Sequence, residues 1–445
     1  MDFLERCFKL KENNTNVRTE VFAGLTTFMT MAYILIVNPS LLSAAGMDYG
    51  SVLTATAIGS AIGTFCMAAF SNYPFALAPG MGLNAYFAFT VVLQMGYSWE
   101  MALAAVFVEG IIFIILSLIN VREAIFNAIP KNMKSAVSVG IGLFIAFIGM
   151  QNAGIIVNND STLVTLGNVK EISVFLALLG TIITVVLVAK KVKGALFFGI
   201  LITYVIGIIC QLAGIYVVNP DAGMYSLIPS GIISTPPSLA PTFMKLDFSK
   251  VFSWDFFVVM FSFLFVDLFD TLGTLIGVST KAGYLDKDGK LPRIKGALFA
   301  DAIGTTAGAV LGTSTVTTFV ESASGVTEGG RTGLTSTIVG ILFLIALIFS
   351  PIISAIPSFA TAPALIVVGL FMIEQVVNID FSDYTEGFPA FITIIMMVVA
   401  YSISTGLMFG TISYVLIKAL SGKGKELNPV IVIIAILFVI KFVLG

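Results

Sequence analysis

The chain has 445 residues, 58% of them hydrophobic and 11% charged, with a mean hydropathy of +1.03. A soluble domain carries about 25% charged residues, and apolar runs of about 20 residues recur from end to end, so the composition excludes a soluble protein and specifies an all-α polytopic membrane protein. The formal net charge of −2 argues against nucleic acid as a partner, and the lack of any histidine removes His-based triads and the usual catalytic zinc sites.

Met1 to Glu20 is polar and charged, with no short apolar core and cleavage site, so the first span is expected to serve as the targeting signal. In chain order the expected spans are 21–40, 49–70, 74–94, 98–118, 133–156, 171–189, 194–216, 253–279, 294–312, 315–328, 332–356, 359–377, 388–402 and 404–420. A last apolar stretch, Val430 to Leu444, is short for a span; it is either a fifteenth helix or one lying against the bundle. With the N-terminus cytoplasmic, 19 of the 23 Lys and Arg residues fall in cytoplasmic segments. They cluster at Arg6–Arg18, Arg122–Lys134, Lys190–Lys193, Lys281–Lys295, Arg331 and Lys418–Lys425. Cys7, Cys66 and Cys210 lie far apart, match no metal or redox spacing, and read as small apolar residues.

The chain also repeats itself. Ile125-Phe-Asn-Ala-Ile-Pro130 resembles Ile352-Ile-Ser-Ala-Ile-Pro357, and Gly-Leu-Phe follows each proline, at Gly142 and Gly369. Ala57-Ile-Gly59 with Gly63 resembles Ala302-Ile-Gly304 with Gly308. Gly110-Ile-Ile-Phe113 resembles Gly340-Ile-Leu-Phe343, and Leu196-Phe-Phe-Gly199 resembles Leu407-Met-Phe-Gly410. The matches keep their order, so the expectation is two copies of a seven-span unit. An odd number of spans gives the copies opposite membrane orientation, the inverted-repeat plan of many secondary transporters.

Two stretches in equivalent places of the copies are the least helical at membrane depth. The first, Asn72 to Asn84, is broken by Pro and Gly; the second, Gly312 to Glu321, is dominated by Thr and Val. Paired interruptions of this kind point to a binding site. The expectation is two short extended segments in spans 3 and 10, crossing near the centre, each feeding a half-helix.

Carboxylates stand at this depth. Asp267 lies in the middle of the eighth span, Asp270 one helical turn on, and Glu321 after the Thr-Val stretch. An ionisable residue inside a membrane is a functional-site hypothesis by default. A carboxylate can accept hydrogen bonds from the N–H edge of a planar heterocycle, and a second one can carry a coupled proton. Asp270 either lines the site or bonds to a neighbouring span, and Glu109 and Asp301 read as makers of interhelical bonds. Asn84 either caps a half-helix or meets ligand. Phe319 and Phe75 flank the breaks, where an aromatic face stacks on a flat ligand or simply packs.

At these residues the sequence resembles the nucleobase–ascorbate (xanthine/uracil permease) superfamily, in its AzgA-like guanine/hypoxanthine/adenine branch. The resemblance rests on Glu20-Val-Phe-Ala-Gly-Leu-Thr-Thr-Phe-Met-Thr-Met-Ala-Tyr-Ile-Leu-Ile-Val-Asn-Pro39, Ala78-Pro-Gly-Met-Gly-Leu-Asn-Ala85 and Val266-Asp-Leu-Phe-Asp-Thr-Leu-Gly273. Thr317-Thr-Phe-Val-Glu-Ser-Ala-Ser-Gly325 and Tyr401-Ser-Ile-Ser-Thr-Gly406 complete it, and together they run over nearly the whole chain. It implies a 7+7 inverted-repeat transporter of 14 spans with core and gate domains. The core would comprise 21–118 and 253–356 and the gate 119–252 and 357–421, after a cytoplasmic segment 1–20 and before a tail 422–445. It implies a proton-coupled purine nucleobase importer of the cell membrane, with guanine or hypoxanthine as cargo ahead of adenine or xanthine. Asp267 and Glu321 would bind the base, Phe319 would stack on it, and the Val320 amide and Asn84 would lie close. Phe75, Ala78, Asp270, Thr271 and Ser322 fill out the expected substrate-binding set, and Glu321, Asp267 and Asp270 the proton-coupling set. Uracil-type relatives carry a His one turn after the eighth-span acid; Asp270-Thr271 stands there here, which fits the purine branch.

Substrate, protons and lipid bilayer are thus the expected partners, a homodimer is one assembly open to it, and no cofactor or metal is expected. The rival is an anion or other small-solute transporter of the same plan, which predicts basic residues at the half-helix termini where this chain is acidic. A channel should leave polar stripes on several spans, and few are seen. An enzyme lacks a Walker loop, a zinc motif and histidine.

Overall fold

The computed structural model describes residues 2–118, 130–219, 224–284 and 291–444. The repeat residues 125–129 and the basic residues Arg122, Lys287 and Lys290 lie outside them. Among the described residues nine helices are long and apolar enough to cross a membrane.

The first half begins with α1 (Asp2–Phe8) and a broken first span, α2 (Val17–Met31) and α3 (Ile34–Ala44). Then come α4 (Tyr49–Ser71), the strand β1 (Leu77–Pro79), α5 (Met81–Ala85), which continues as a π-helical stretch over Tyr86–Gln94, and α6 (Trp99–Leu118). α7 (Lys131–Asn152), α8 (Ile172–Ala189) and α9 (Ala195–Leu212) complete it. An exposed hairpin of β2 (Ile156–Asn159) and β3 (Leu163–Leu166) interrupts the loop before α8, where the sequence suggests only loop.

The second half has the same plan: α10 (Trp254–Ala282), α11 (Ile294–Leu311), β4 (Val316–Thr318), the short α12 (Ser322–Thr327) and α13 (Gly333–Ala346) running on to α14 (Ser350–Ser354). α15 (Ser358–Ile373), α16 (Tyr384–Val399) and α17 (Ile403–Leu420) follow, and α18 (Pro429–Leu444) packs against α17.

The repeated motifs meet each other. A Cβ added at Gly59 would lie 3.5 Å from the Gly308 Cα, and one at Gly63 would lie 3.4 Å from the Gly304 Cα. The small-residue motif of α4 therefore packs antiparallel against its own repeat in α11. In a bilayer such faces associate because they let backbones approach closely. Gly142 of α7 meets Gly369 of α15 in the same way. Gly199 is pressed against Thr184 and Gly410 against Thr393, so α8 with α9 and α16 with α17 use one glycine–threonine contact twice. Helices α4, α6, α11 and α13 pack mostly among themselves, as do α7, α8, α9, α15, α16 and α17.

One buried acid ties the start of the chain to the second half. Glu20 of α2 has no exposed surface. Its carboxylate accepts from the amides of Arg331 (2.9 Å), Thr332 (3.3 Å) and Thr335 (3.1 Å) and from the Thr335 hydroxyl (2.6 Å). The Asn72 side chain accepts from the Gly333 amide at 2.8 Å. Together they satisfy the first amides of α13, which have no partner within that helix. Glu20→Gln replaces an acceptor by a donor that faces other donors. It should destabilise the fold by about 1–3 kcal/mol, read as a lower thermal midpoint in detergent; an unchanged midpoint would refute this role.

Candidate functional site

β1 and β4, one from each copy, form a two-stranded antiparallel sheet in the register Leu77↔Thr318, Ala78↔Thr317 and Pro79↔Val316. Pro74, Pro79 and Gly80 forbid a helix in the first segment, and the β-branched run Thr313–Thr318 disfavours one in the second. The backbone groups this frees are satisfied within the protein. The Gly80 amide donates to the Thr315 carbonyl and the Phe319 amide to the Ala76 carbonyl, both at 3.0 Å. The Thr64 hydroxyl accepts from the Leu77 amide (2.9 Å), Thr305 donates to the Val316 carbonyl (2.9 Å), and Ser322 accepts from the Ala76 amide (3.0 Å).

α10 passes beside this crossing. Asp267 and Thr271 have no exposed surface, and the Thr271 hydroxyl is 3.0 Å from Asp267 Oδ1. The same hydroxyl is 2.9 Å from Asp301 Oδ1 of α11 and 2.6 Å from the Thr317 hydroxyl of β4. Asp270 is partly exposed and lies against the crossing, with its Oδ2 3.1 Å from where a Cβ on Gly80 would be. It is close enough to Asp301 and Glu321 to interact with both electrostatically. Glu321, also partly exposed, is the residue just before α12 and accepts a hydrogen bond from the Tyr33 hydroxyl at 2.8 Å. The six-residue α12 is a single turn and a half, so a helix dipole contributes little there.

The remaining expected residues divide. Asn84 is fully buried; it accepts from the Ser314 hydroxyl and makes a long 3.4 Å contact to the Pro79 carbonyl, so it links the two interrupted segments. Phe319 is 6% exposed and Ala78 not at all, while Val320 is 61% exposed. Ser322 spends its hydroxyl on the Ala76 amide. Phe75 differs from a ligand-stacking residue. It has no exposed surface and packs against Tyr73 (centroids 5.1 Å) and Tyr284 (6.0 Å), so the packing alternative describes it. Glu109, expected to bond between helices, accepts from the Thr315 hydroxyl at 3.0 Å, in the extended segment that leads into β4.

Two partners escape sequence reasoning. Asp301 reads only as an interhelical acid until the crossing brings it to Thr271. Tyr33 had one available signal: a tyrosine in the middle of an apolar span, away from the interface where tyrosine is enriched. An open cleft of about 700 Å³ lies elsewhere, lined by Lys131, Lys134, Asp380, Glu386, Glu426 and others. Two of its carboxylates, Glu386 and Glu426, are paired with Lys418 at 2.9 Å and 2.6 Å. It has neither the interrupted backbone nor the buried acids of the crossing.

Comparison with known proteins gives one consistent set of matches. The family model Xan_ur_permease, described as a permease family, matches residues 18–409. A Methanocaldococcus jannaschii protein whose name marks it only as a permease is 51% identical over 443 residues, covering 100% of this chain and 99% of its own. The guanine/hypoxanthine permease PbuO of Bacillus subtilis is 46% identical (98% and 99% covered) and the adenine permease AdeP of Escherichia coli 43% (99% and 96%). Among solved structures, the transmembrane domain of the cyanobacterial bicarbonate transporter BicA superposes with a TM-score of 0.67 at 16% identity, covering 88% of this chain and 97% of that one. That likeness is one of fold, that of a multi-span transporter.

The tight approach at Gly80 can be tested directly. A Cβ there would lie 2.7 Å from the Thr317 methyl. Gly80→Ala should destabilise the protein by about 1–3 kcal/mol. Thr317→Ser, which keeps the hydroxyl and removes that methyl, should recover part of the loss. Equal thermal midpoints for wild type and Gly80→Ala would mean the crossing is looser than described.

Proposed function

This chain belongs to the permease family matched above, and from that premise we propose that it is a proton-coupled importer of purine nucleobases, guanine and hypoxanthine first. The observation that carries the proposal is full-length likeness to permeases named for guanine, hypoxanthine and adenine, joined to carboxylates, buried or partly exposed, at a crossing of interrupted helices. The chain is a multi-pass membrane transporter and not an enzyme.

A purine offers ring N–H groups and carbonyl or amino substituents in one plane. In this reading Asp267 and Glu321 accept from its N–H edges, Phe319 stacks on its face, and the Val320 amide and Asn84 border it. Charged acceptors in a dry site select strongly, because an analogue lacking the donor leaves a buried charge unpaired. The Tyr33 hydroxyl holds the Glu321 carboxylate in place while leaving its second oxygen for ligand or proton. In this reading protonation of Glu321 and occupancy by base favour each other, the positive thermodynamic linkage that symport requires.

The proposal extends to the mechanism of access. Fourteen spans in two inverted sets of seven form a core, 21–118 with 253–356, and a gate, 119–252 with 357–421, and the core carries the site from one side to the other. The N-terminus is placed in the cytoplasm, on the distribution of basic residues. Support comes from the way α4, α6, α11 and α13 pack together apart from α7–α9 and α15–α17. The anion-transporter reading shares this fold, but the partly exposed charges at the crossing are acidic.

Three outcomes test the reading in proteoliposomes. Radiolabelled hypoxanthine or guanine should accumulate when the inside is alkaline, and a protonophore should abolish this; accumulation that followed sodium instead would refute proton coupling. Asp267→Asn should lower uptake at least about tenfold at normal protein level, the loss of one charged hydrogen bond; near-normal uptake would remove Asp267 from the site. Glu321→Gln should retain some base exchange yet lose accumulation against an imposed pH gradient. If it still concentrates base with wild-type pH dependence, Glu321 is not the coupling acid.

A further inference from the structure

The environment of Thr271 contains more oxygen atoms than its hydrogens can serve. Three contacts of 3.0 Å or less converge on one hydroxyl oxygen: Asp267 Oδ1, Asp301 Oδ1 and Thr317 Oγ1. One hydroxyl hydrogen shared between two carboxylate oxygens serves each weakly, whereas one hydrogen per contact serves all three in full. Thr271 and Thr317 supply one each. A proton on one of the two carboxyl groups supplies the third, and all four residues are buried, with exposures of 0% to 1%. A hydroxyl donates one hydrogen bond and accepts two, so the count closes in two ways. Either Thr271 donates to Asp267 and accepts from a protonated Asp301, or it donates to Asp301 and accepts from a protonated Asp267. In both, Thr317 donates to Thr271.

We propose that Asp267 and Asp301 share one proton through the Thr271 hydroxyl, and that Asp301 is a positioning residue for transport through this exchange. The two arrangements interconvert without a proton leaving the cluster. Asp301 gives its proton to the Thr271 oxygen as Thr271 gives its own to Asp267; one O–H bond breaks and one forms at each step, and the negative charge moves from Asp267 to Asp301. A base that donates an N–H to Asp267 holds the charge on Asp267. When the base leaves, the charge moves to Asp301, and the empty site returns without a bare carboxylate facing it. The proton that crosses the membrane is carried by other groups. Asp270 on the same helix is close enough to Asp301 and Glu321 to interact with both, Glu321 is held by the Tyr33 hydroxyl, and Glu109 of α6 by the Thr315 hydroxyl. Asp270 and Glu321, the partly exposed acids at the crossing, are assigned the transported proton.

The inference rests on the purine-transport reading, so the test begins with wild type. If wild-type protein neither binds nor moves a purine, that reading fails, and the proton-sharing is judged on whether the protonated-carboxyl band of the ligand-free protein disappears in Asp301→Asn. Infrared difference spectra of purified protein carrying Asp270→Asn and Glu321→Gln, which silence the two acids assigned the transported proton, should show a protonated-carboxyl C=O band that shifts when the base is added. Asp301→Asn should lose that shift, because its amide fixes Thr271 as a donor to Asp267. Net uptake should fall at least about tenfold in Asp301→Asn while base exchange, which never uses the empty carrier, falls much less. Thr271→Val should show the same split and Thr271→Ser should reverse it. A band shift that persists in Asp301→Asn overturns the proposal. So does an equal loss of exchange and net uptake, or a Thr271→Ser variant no better than Thr271→Val.

Discussion

A bilayer interior offers no water to a backbone amide or carbonyl, so every such group must find a partner inside the protein. This constraint shapes the molecule more than any other. Two short stretches leave the helical state at membrane depth, and neither could exist alone. Each supplies the other's missing partners, Leu77–Pro79 facing Val316–Thr318, and the hydroxyls of Thr64, Thr305 and Ser322 take what remains. The helices that present those hydroxyls must then be held close. The glycines at 59, 63, 304 and 308 allow this by bringing α4 and α11 almost into backbone contact.

The same arrangement makes the place chemically useful. Unwound backbone puts polar groups where a continuous helix would have consumed them, and the side chains gathered to satisfy it create a polar island in an apolar body. Carboxylates become tolerable there because donors already surround them: Tyr33 at Glu321, Thr271 at Asp267, Thr315 at Glu109. The acids divide by access. Asp270 and Glu321 are partly exposed, whereas Asp267 and Asp301 are sealed. Two acids partly open to solvent and two closed from it thus stand within one polar island.

Much of this was legible in the chain. The spans follow from apolar run length, and the breaks from Pro79, Gly80 and the Thr-Val run, because those residues act through local sterics. The duplication was legible because the matching motifs are packing motifs: Gly59 and Gly304 recur since each is the other's contact surface. What stayed hidden depends on distance in space across large separations in sequence. Asp301 is 30 residues from Thr271, and Tyr33 is 288 from Glu321. Phe75 shows the opposite case. Its position beside a break leaves both a ligand face and plain packing open, and the structure packs it against Tyr73 two residues before it and Tyr284 from a distant segment. The β2–β3 hairpin was missed because its alternation is short and its residues exposed, so no buried face disciplines the pattern.

The likeness of fold to a bicarbonate transporter then has a physical explanation. The paired strands, the glycine-lined approach of α4 to α11 and the inverted halves solve a problem of backbone and bilayer, and nothing in that solution refers to a ligand. Ligand chemistry enters only through the side chains at the crossing. A basic residue at Glu321 would present the same geometry to an anion; in the proposed reading the acid presents it to a donor. Fold and cargo therefore separate in this architecture, and at 16% identity the scaffold persists while the residues that read the cargo are free to differ. The buried Asp267–Thr271–Asp301 cluster lies between these two layers: α10, α11 and β4 each contribute an oxygen to it, so any movement of one element against another changes its geometry.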